Sequence, residues 1–248
     1  MSKIETYRVT LRTLANWDAY LMQESGLPGP RGNLELAQVV ADEGDRALFE
    51  RYLTYTSEIA PTNSPEEFLA FCGAVGLGRL LAEGQREYLE TLRLCASDSR
   101  WRMREAVAMA LQRWGAADMD ALIAAMQSWS RGTPSLEQRA AAAALCEPRL
   151  LKQPDRAAAV LQILDRITAS ILQVQDRSNL DFRALRKGLG YCWSVAVAAL
   201  PELGKPLMEK WLGNPDHDIQ WIMKTNLKKN RLVRMDADWV DQHSVEKR

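Results

Sequence analysis

Two stretches of this chain, 116 residues apart, repeat one helical pattern, and that recurrence limits the fold more than any other feature. The first runs from Asp98 to Leu111 and the second from Asn214 to Leu227. In each, a turn rich in Asp or Asn precedes apolar residues at i, i+4 and i+8. These are Met103, Val107 and Leu111 in one stretch and Ile219, Met223 and Leu227 in the other. Side chains at that spacing share one helix face, so each helix has a stripe to bury against a neighbour. A recurring unit of this kind buries its stripe only by packing on the next copy. The pattern therefore predicts an all-α fold, a right-handed α-solenoid of antiparallel helix pairs.

The rest of the chain reads in the same terms. Tyr7, Leu11, Leu14, Trp17 and Leu21 step by three or four and predict one amphipathic helix. The Gly- and Pro-rich run from Gly26 to Gly32 ends it. Two shorter helices are expected over 34–43 and 45–58. Ser64-Pro-Glu-Glu67 predicts a helix start in which Ser caps, Pro takes the first position and Glu reaches back. Ser135-Leu-Glu-Gln138 predicts the same box ahead of the alanine run 140–144. Turn signals at 96–99, 115–118, 131–134, 153–155, 175–179, 200–201 and 213–215 leave helices of ordinary length between them. No β-type alternation is long enough to propose a sheet. The expected organisation is a single domain over 1–248: divergent helices over 1–84, repeats over 85–234, and a C-terminal cap and tail over 235–248.

At 47% hydrophobic the 248 residues supply ample core. No apolar run approaches the ~20 residues a membrane span needs, and the first residues lack a signal peptide's apolar region, so a cytoplasmic protein without a membrane partner is expected. Cys72, Cys95, Cys146 and Cys192 lie far apart inside apolar patterns, with only His217 and His243 to join them. Buried reduced thiols are expected, and no metal. The motifs of nucleotide-binding loops, zinc proteases and serine hydrolases are missing, which leaves no cofactor to propose. Gly73, Gly76 and Gly78 sit inside a helical pattern and predict close helix packing.

Lys and Arg number 32, as do Asp and Glu, which argues against indiscriminate nucleic-acid binding. The distribution is uneven, however. Residues 1–80 hold 7 cations against 11 carboxylates, so the remainder carries +4. Residues 219–235 hold Lys224, Lys228, Lys229, Arg231 and Arg234 with no carboxylate. Local sign asymmetry is what a partner meets.

The stretch Asp98-x-x-Trp-x-Met-Arg-Glu-Ala-Val-x-x-Ala-Leu111 resembles the second helix of HEAT repeats. The 214–227 stretch is a looser copy, with Gln220 in the Arg position and Asn226 in that of a small Ala, and weaker copies fall at 136–145 and 180–189. Together with the closing run Ile222 to Leu232, the chain looks like the DNA alkylation repair group of HEAT-like proteins. That resemblance implies a concave surface lined by the second helix of each pair, with cations facing double-stranded DNA, and in some members excision of alkylated bases. It implies that Trp101 covers the nucleotide and that Glu105, one turn on, stabilises charge developing on the sugar. Glu stands where the group's pattern leads us to expect Asp, and Arg-Glu-Ala is also ordinary repeat consensus.

The cationic residues expected at a nucleic acid are Arg104, Arg183, Arg186, Lys187, Lys224, Lys228 and Arg231, with Trp221 among them. Trp221, Lys224, Lys228 and Arg231 step 3, 4, 3 along a helix expected over 217–231. The alternative is a solvated cationic face whose Trp packs on the next repeat. Arg183, Arg186 and Lys187, with small Gly190 and Ser194 further along, form a second stripe that would lie beside the first if the repeats stack regularly. Trp17, Trp114 and Trp193 read as core; Trp101, Trp129, Trp211 and Trp221 read either as a stacking platform or as seams between repeats. His217 reads as a solvated residue at a helix start. The competing reading of the whole chain is a non-catalytic HEAT-type scaffold that holds a protein partner in its groove.

Overall fold

A computed structural model describes residues 2–244. Every regular element among the described residues is helical, with no strand. The chain divides into two compact units, 1–117 and 118–248. No described helix is long and apolar enough to cross a membrane.

The first unit contains α1 (Lys3–Thr13), α2 (Asp18–Glu24), α3 (Leu34–Glu43), α4 (Arg46–Leu53), α5 (Glu67–Ala82), α6 (Tyr88–Cys95) and α7 (Trp101–Ala117). The single helix expected over Tyr7–Leu21 is two. Leu14 turns extended, and the Leu11 carbonyl accepts from the Leu14 amide at 3.2 Å and from Trp17 Nε1 at 2.8 Å. Asn16 Oδ1 accepts from the Asp18 amide at 2.8 Å, so a local side-chain bond replaces a helical one and restarts the chain at α2. The expected 45–58 helix stops at Leu53. Beyond it, the carbonyls of Tyr55 and Ala60 are held by Arg100 at 2.8 and 3.1 Å.

Helix α5 is buried nearly all round, with α3, α4 and α7 packed on it. Its glycines make the approach possible. A Cβ on Gly76 would lie 2.4 Å from the Phe49 ring of α4, and one on Gly78 would lie 2.5 Å from Ala110 Cα of α7. The start of α5 keeps the expected box in altered form: Ser64 Oγ accepts from the Glu67 amide at 3.3 Å, while Glu67 Oε2 accepts from the Asn63 amide at 2.7 Å.

The second unit contains α8 (Met119–Trp129), α9 (Ser135–Leu145), α10 (Pro154–Ser170), α11 (Leu180–Ala199), α12 (Pro201–Leu212), α13 (His217–Leu227), α14 (Asn230–Met235) and α15 (Ala237–Ser244). The 20-residue α11 is its centre, flanked by α9 on one side and α13 on the other. Helices α8 and α12 pack on α10 in the same alternating fashion. Three indole N–H groups tie the helices together. Trp193 donates to Thr168 Oγ1 at 3.0 Å, Trp211 to Asp165 at 2.7 Å and Trp239 to Glu209 at 2.7 Å. Trp114 and Trp193 are core residues, as expected, and Trp129 and Trp211 are buried with them. Trp17 is only half-buried.

The box expected at Ser135 does not form. Pro134 occupies the cap, and the buried Gln138 amide reaches instead to Gly132 O at 2.9 Å and Ser170 Oγ at 3.1 Å. After Met235, α15 packs on α13 and α14, and residues 245–248 of the expected tail lie outside the described residues. The described cysteines form no disulfide; Cys72, Cys146 and Cys192 are buried and Cys95 half-buried.

Gly78→Ala is expected to destabilise the protein by about 2 kcal/mol, since its Cβ would strike backbone of α7 rather than a yielding side chain. Gly213→Ala, where a Cβ meets nothing nearer than 3.6 Å, is expected to stay within about 0.5 kcal/mol of the parent. Urea midpoints of the two variants check this; equal midpoints would show that the α5–α7 approach is not tight.

Candidate functional site

The site is built on the face that α11 and α13 share. Asn179 caps α11, its Oδ1 accepting from the Asp181 amide at 2.8 Å. Along the helix, Arg183, Lys187 and Tyr191 recur every four residues and are all exposed. Helix α13 starts at Asp216, whose Oδ1 accepts from the amides of Asp218 and Ile219 at 3.0 and 3.2 Å. His217 beside it is exposed in the first turn, as expected.

The two expected stripes do lie side by side. A Cβ on Gly190 would come within 3.1 Å of Trp221 Cζ3 and 3.2 Å of Thr225 Cγ2, so the glycine seats the indole against α11. The Arg186 guanidinium stacks 3.9 Å above the centre of the same ring, inside the range where a cation gains from the ring's electron-rich face. Arg186 also sits 2.7 Å from Asp218, an ion pair without hydrogen-bond alignment. Arg177 joins from the preceding loop, 2.7 Å from Asp216 and 3.0 Å from Asp218. Burial pushes the Asp216 carboxyl up, but Arg177 and the two helix amides outweigh it and hold the group below the ordinary carboxylate range.

The expected helix over 217–231 breaks after Leu227. Lys228 ends α13, and Arg231 belongs to α14, whose first turn also carries Asn230. The break changes where the last cations go. Arg231 hydrogen-bonds the Tyr191 hydroxyl, with its guanidinium 4.7 Å from the ring centre, and Lys229 Nζ lies 5.9 Å from the same ring. Lys228, Lys229, Asn230, Arg231 and Arg234 line an open cleft of about 590 Å³. Lys187, Lys228 and Arg234 form no ion pair among the described residues, and Lys224 is exposed on the α13 face.

Trp101, Arg104 and Glu105 belong to the first unit, in the first turns of α7. Trp101 is 45% exposed and Glu105 half-buried. Arg104 is drawn back onto its own turn, donating to the carbonyls of Asp98 at 2.6 Å and Ser99 at 3.1 Å. Buried arginines flank Trp101. Arg100 holds Asp98, Tyr55 O and Ala60 O; Arg102 holds Gly29 O at 2.5 Å, Asn63 Oδ1 at 3.1 Å and Glu67 Oε2 at 3.2 Å. Arg102 also places its guanidinium 4.4 Å from the Trp101 ring centre.

Sequence reasoning missed Tyr191 and Arg177. Tyr191 carried a signal, being the next step of the Arg183–Lys187 stripe. Arg177 carried none, because its carboxylate partners lie 39 and 41 residues away. No described group of three or more His, Cys, Asp or Glu is placed to hold a metal ion.

No family model matches the chain, and neither does any curated protein. A solved structure, the crystal structure of an engineered protein, aligns over 98% of this chain and 98% of its own at 17% identity. Its TM-score is 0.38.

Asp216→Asn keeps the cap but removes the charge that Arg177 meets. It is expected to be less stable than the parent at pH 7. A carboxyl depressed on folding contributes stability above its unfolded pKa, and that stability is lost as pH falls through the folded value. The gap in urea midpoint is therefore expected to close below about pH 4. A gap that does not narrow at all as pH falls would show that the ion pair contributes nothing.

Proposed function

We propose that the chain is a HEAT-like right-handed α-solenoid that binds DNA through the α11–α13 face, in the manner of the DNA alkylation repair group it resembles. The repeat reading is supported by the order of packing inside each unit. In the second, α9, α11 and α13 form one row and α8, α10 and α12 the other. In the first, α1, α3, α5 and α7 follow one another in a row.

The observation that carries the binding reading is the meeting of the two cationic stripes, Arg186 on Trp221 across the seam at Gly190. It assembles Arg183, Lys187, Lys224 and Lys228 on one pair of adjacent helices, with the cleft of Lys229, Arg231 and Arg234 at its end. Phosphates are recognised by such arrays of solvent-facing cations, at an affinity that falls steeply with salt. Glu105 and Trp101 are the residues proposed for base excision, Trp101 for its exposed ring and Glu105 for its carboxylate one turn on.

The rival reading is a protein-binding scaffold. Leu180 is 75% exposed at the head of α11 and Val233 44% exposed on α14, apolar groups a protein partner would cover.

A fluorescent duplex with an abasic-site mimic, titrated at two salt concentrations, tests the proposal. Micromolar or tighter binding is expected, falling steeply with salt. Lys187→Ala/Lys228→Ala is expected to reduce the slope of log K against log salt by about 2, one unit for each phosphate deprived of its cation. If an alkylated duplex releases base, Glu105→Gln is expected to abolish release while leaving binding intact. No binding of the duplex at low salt sinks the double-stranded reading, and if a single strand fails as well a pull-down becomes the route to a protein partner.

A further inference from the structure

We infer that Tyr191, Lys229 and Arg231 form a subsite for an unpaired nucleotide, so that the surface prefers a single strand of DNA to a duplex; this rests on the nucleic-acid reading above. Tyr191 is 43% exposed although it stands on the packed central helix of its unit. It is also the one aromatic on the Arg183–Lys187–Tyr191 stripe, which spans about 12 Å of helix. At the end of that stripe, the junction between α13 and α14 delivers two cations to the ring. Arg231 is fixed there by its bond to the hydroxyl, with its guanidinium 4.7 Å from the ring centre, and Lys229 lies 5.9 Å away. Lys229 and Arg231 also line, with Lys228, Asn230 and Arg234, an open cleft of about 590 Å³ beside the ring.

The chemistry separates the two forms of DNA. A duplex offers phosphates outward and keeps its base faces stacked, so cations alone suffice to hold it. An exposed aromatic amid cations gains only when a base face is free to lie on it while the neighbouring phosphates meet Lys or Arg. The stripe of Arg183 and Lys187 supplies the track for the backbone leading up to Tyr191. Both rings carry an arginine, Arg186 3.9 Å from the Trp221 ring centre and Arg231 4.7 Å from that of Tyr191, but Trp221 is half-buried in the seam at Gly190 whereas Tyr191 stays 43% exposed. Its greater exposure makes Tyr191 the platform on this surface.

The test is fluorescence anisotropy of a labelled 15-nucleotide oligo-dT and of a duplex of equal length, at low and high salt. Wild type is expected to bind the single strand more tightly. Tyr191→Leu is expected to weaken single-strand binding about tenfold, the usual effect of losing one stacked base, and to leave duplex binding within about twofold. Tyr191→Phe, which keeps the ring and loses the bond to Arg231, is expected to stay within about twofold for both. An oligomer carrying 5-iododeoxyuridine, photo-crosslinked to wild type, is expected to attach to the peptide containing Tyr191, a readout independent of how any variant folds. The inference is overturned if the duplex binds and the single strand does not, or if Tyr191→Leu affects the two alike. Crosslinks that map elsewhere overturn it too, as does polyglutamate displacing the single strand as well as unlabelled oligo-dT does. Failure of both nucleic acids to bind at low salt overturns this inference together with the DNA reading.

Discussion

One buried amide decides where α13 lies on α11. Asn226 is fully buried, its Oδ1 accepting from the Ser194 amide at 2.8 Å and its Nδ2 donating to the carbonyls of Leu189 and Ile222, each at 2.8 Å. Sliding α13 by a turn would strand that amide in the core, at about 1–3 kcal/mol for the unsatisfied group. The register is fixed, and the surface follows from it. Trp221, five residues earlier, comes to rest on Gly190; Arg186 stacks on the indole; Asp218 meets Arg186 and Arg177.

The two units handle charge differently, and the difference is what singles out the second. In the first, arginines are spent on structure: Arg100 and Arg102 are buried and hold the loops after α2 and α4, and Arg51 pairs with Asp18 at 2.6 Å. Desolvated guanidinium groups such as those of Arg100 and Arg102 serve the fold, because a buried cation must be paired and hydrogen-bonded to persist. In the second, Arg177 and Arg186 are paired, whereas Lys187, Lys228 and Arg234 face solvent without an ion pair among the described residues. The latter group is available to a polyanion. Trp101 is an exposed ring in the first unit, with the buried Arg102 guanidinium 4.4 Å from its centre.

Periodicity made the helices legible, and it failed where a short-range polar bond beat it. Met103, Val107 and Leu111 are buried in α7, and Ile219, Met223 and Leu227 in α13, as their spacing requires. The stripe from Tyr7 to Leu21 kept the same spacing across a real break, because Asn16 and Trp17 supply local bonds that end α1 and start α2. The cationic stripe after Trp221 likewise ran through the α13–α14 junction, and the break there sent Arg231 to Tyr191. At Ser135 the capping pattern was present, but Gln138 found better-placed partners in Gly132 and Ser170, the latter 32 residues away.

By itself, the sequence determined the helical class, most turns, the core stripes and the glycines that let helices approach, since each depends on residues within a few positions of one another. Tertiary structure alone decided which cations remain open to a partner and which aromatic stays exposed beside them. Ion pairs such as Arg177–Asp218 and ring pairings such as Tyr191–Arg231 join residues about 40 positions apart. Coulomb attraction and ring stacking act through space, so they leave no period in the sequence from which to read them.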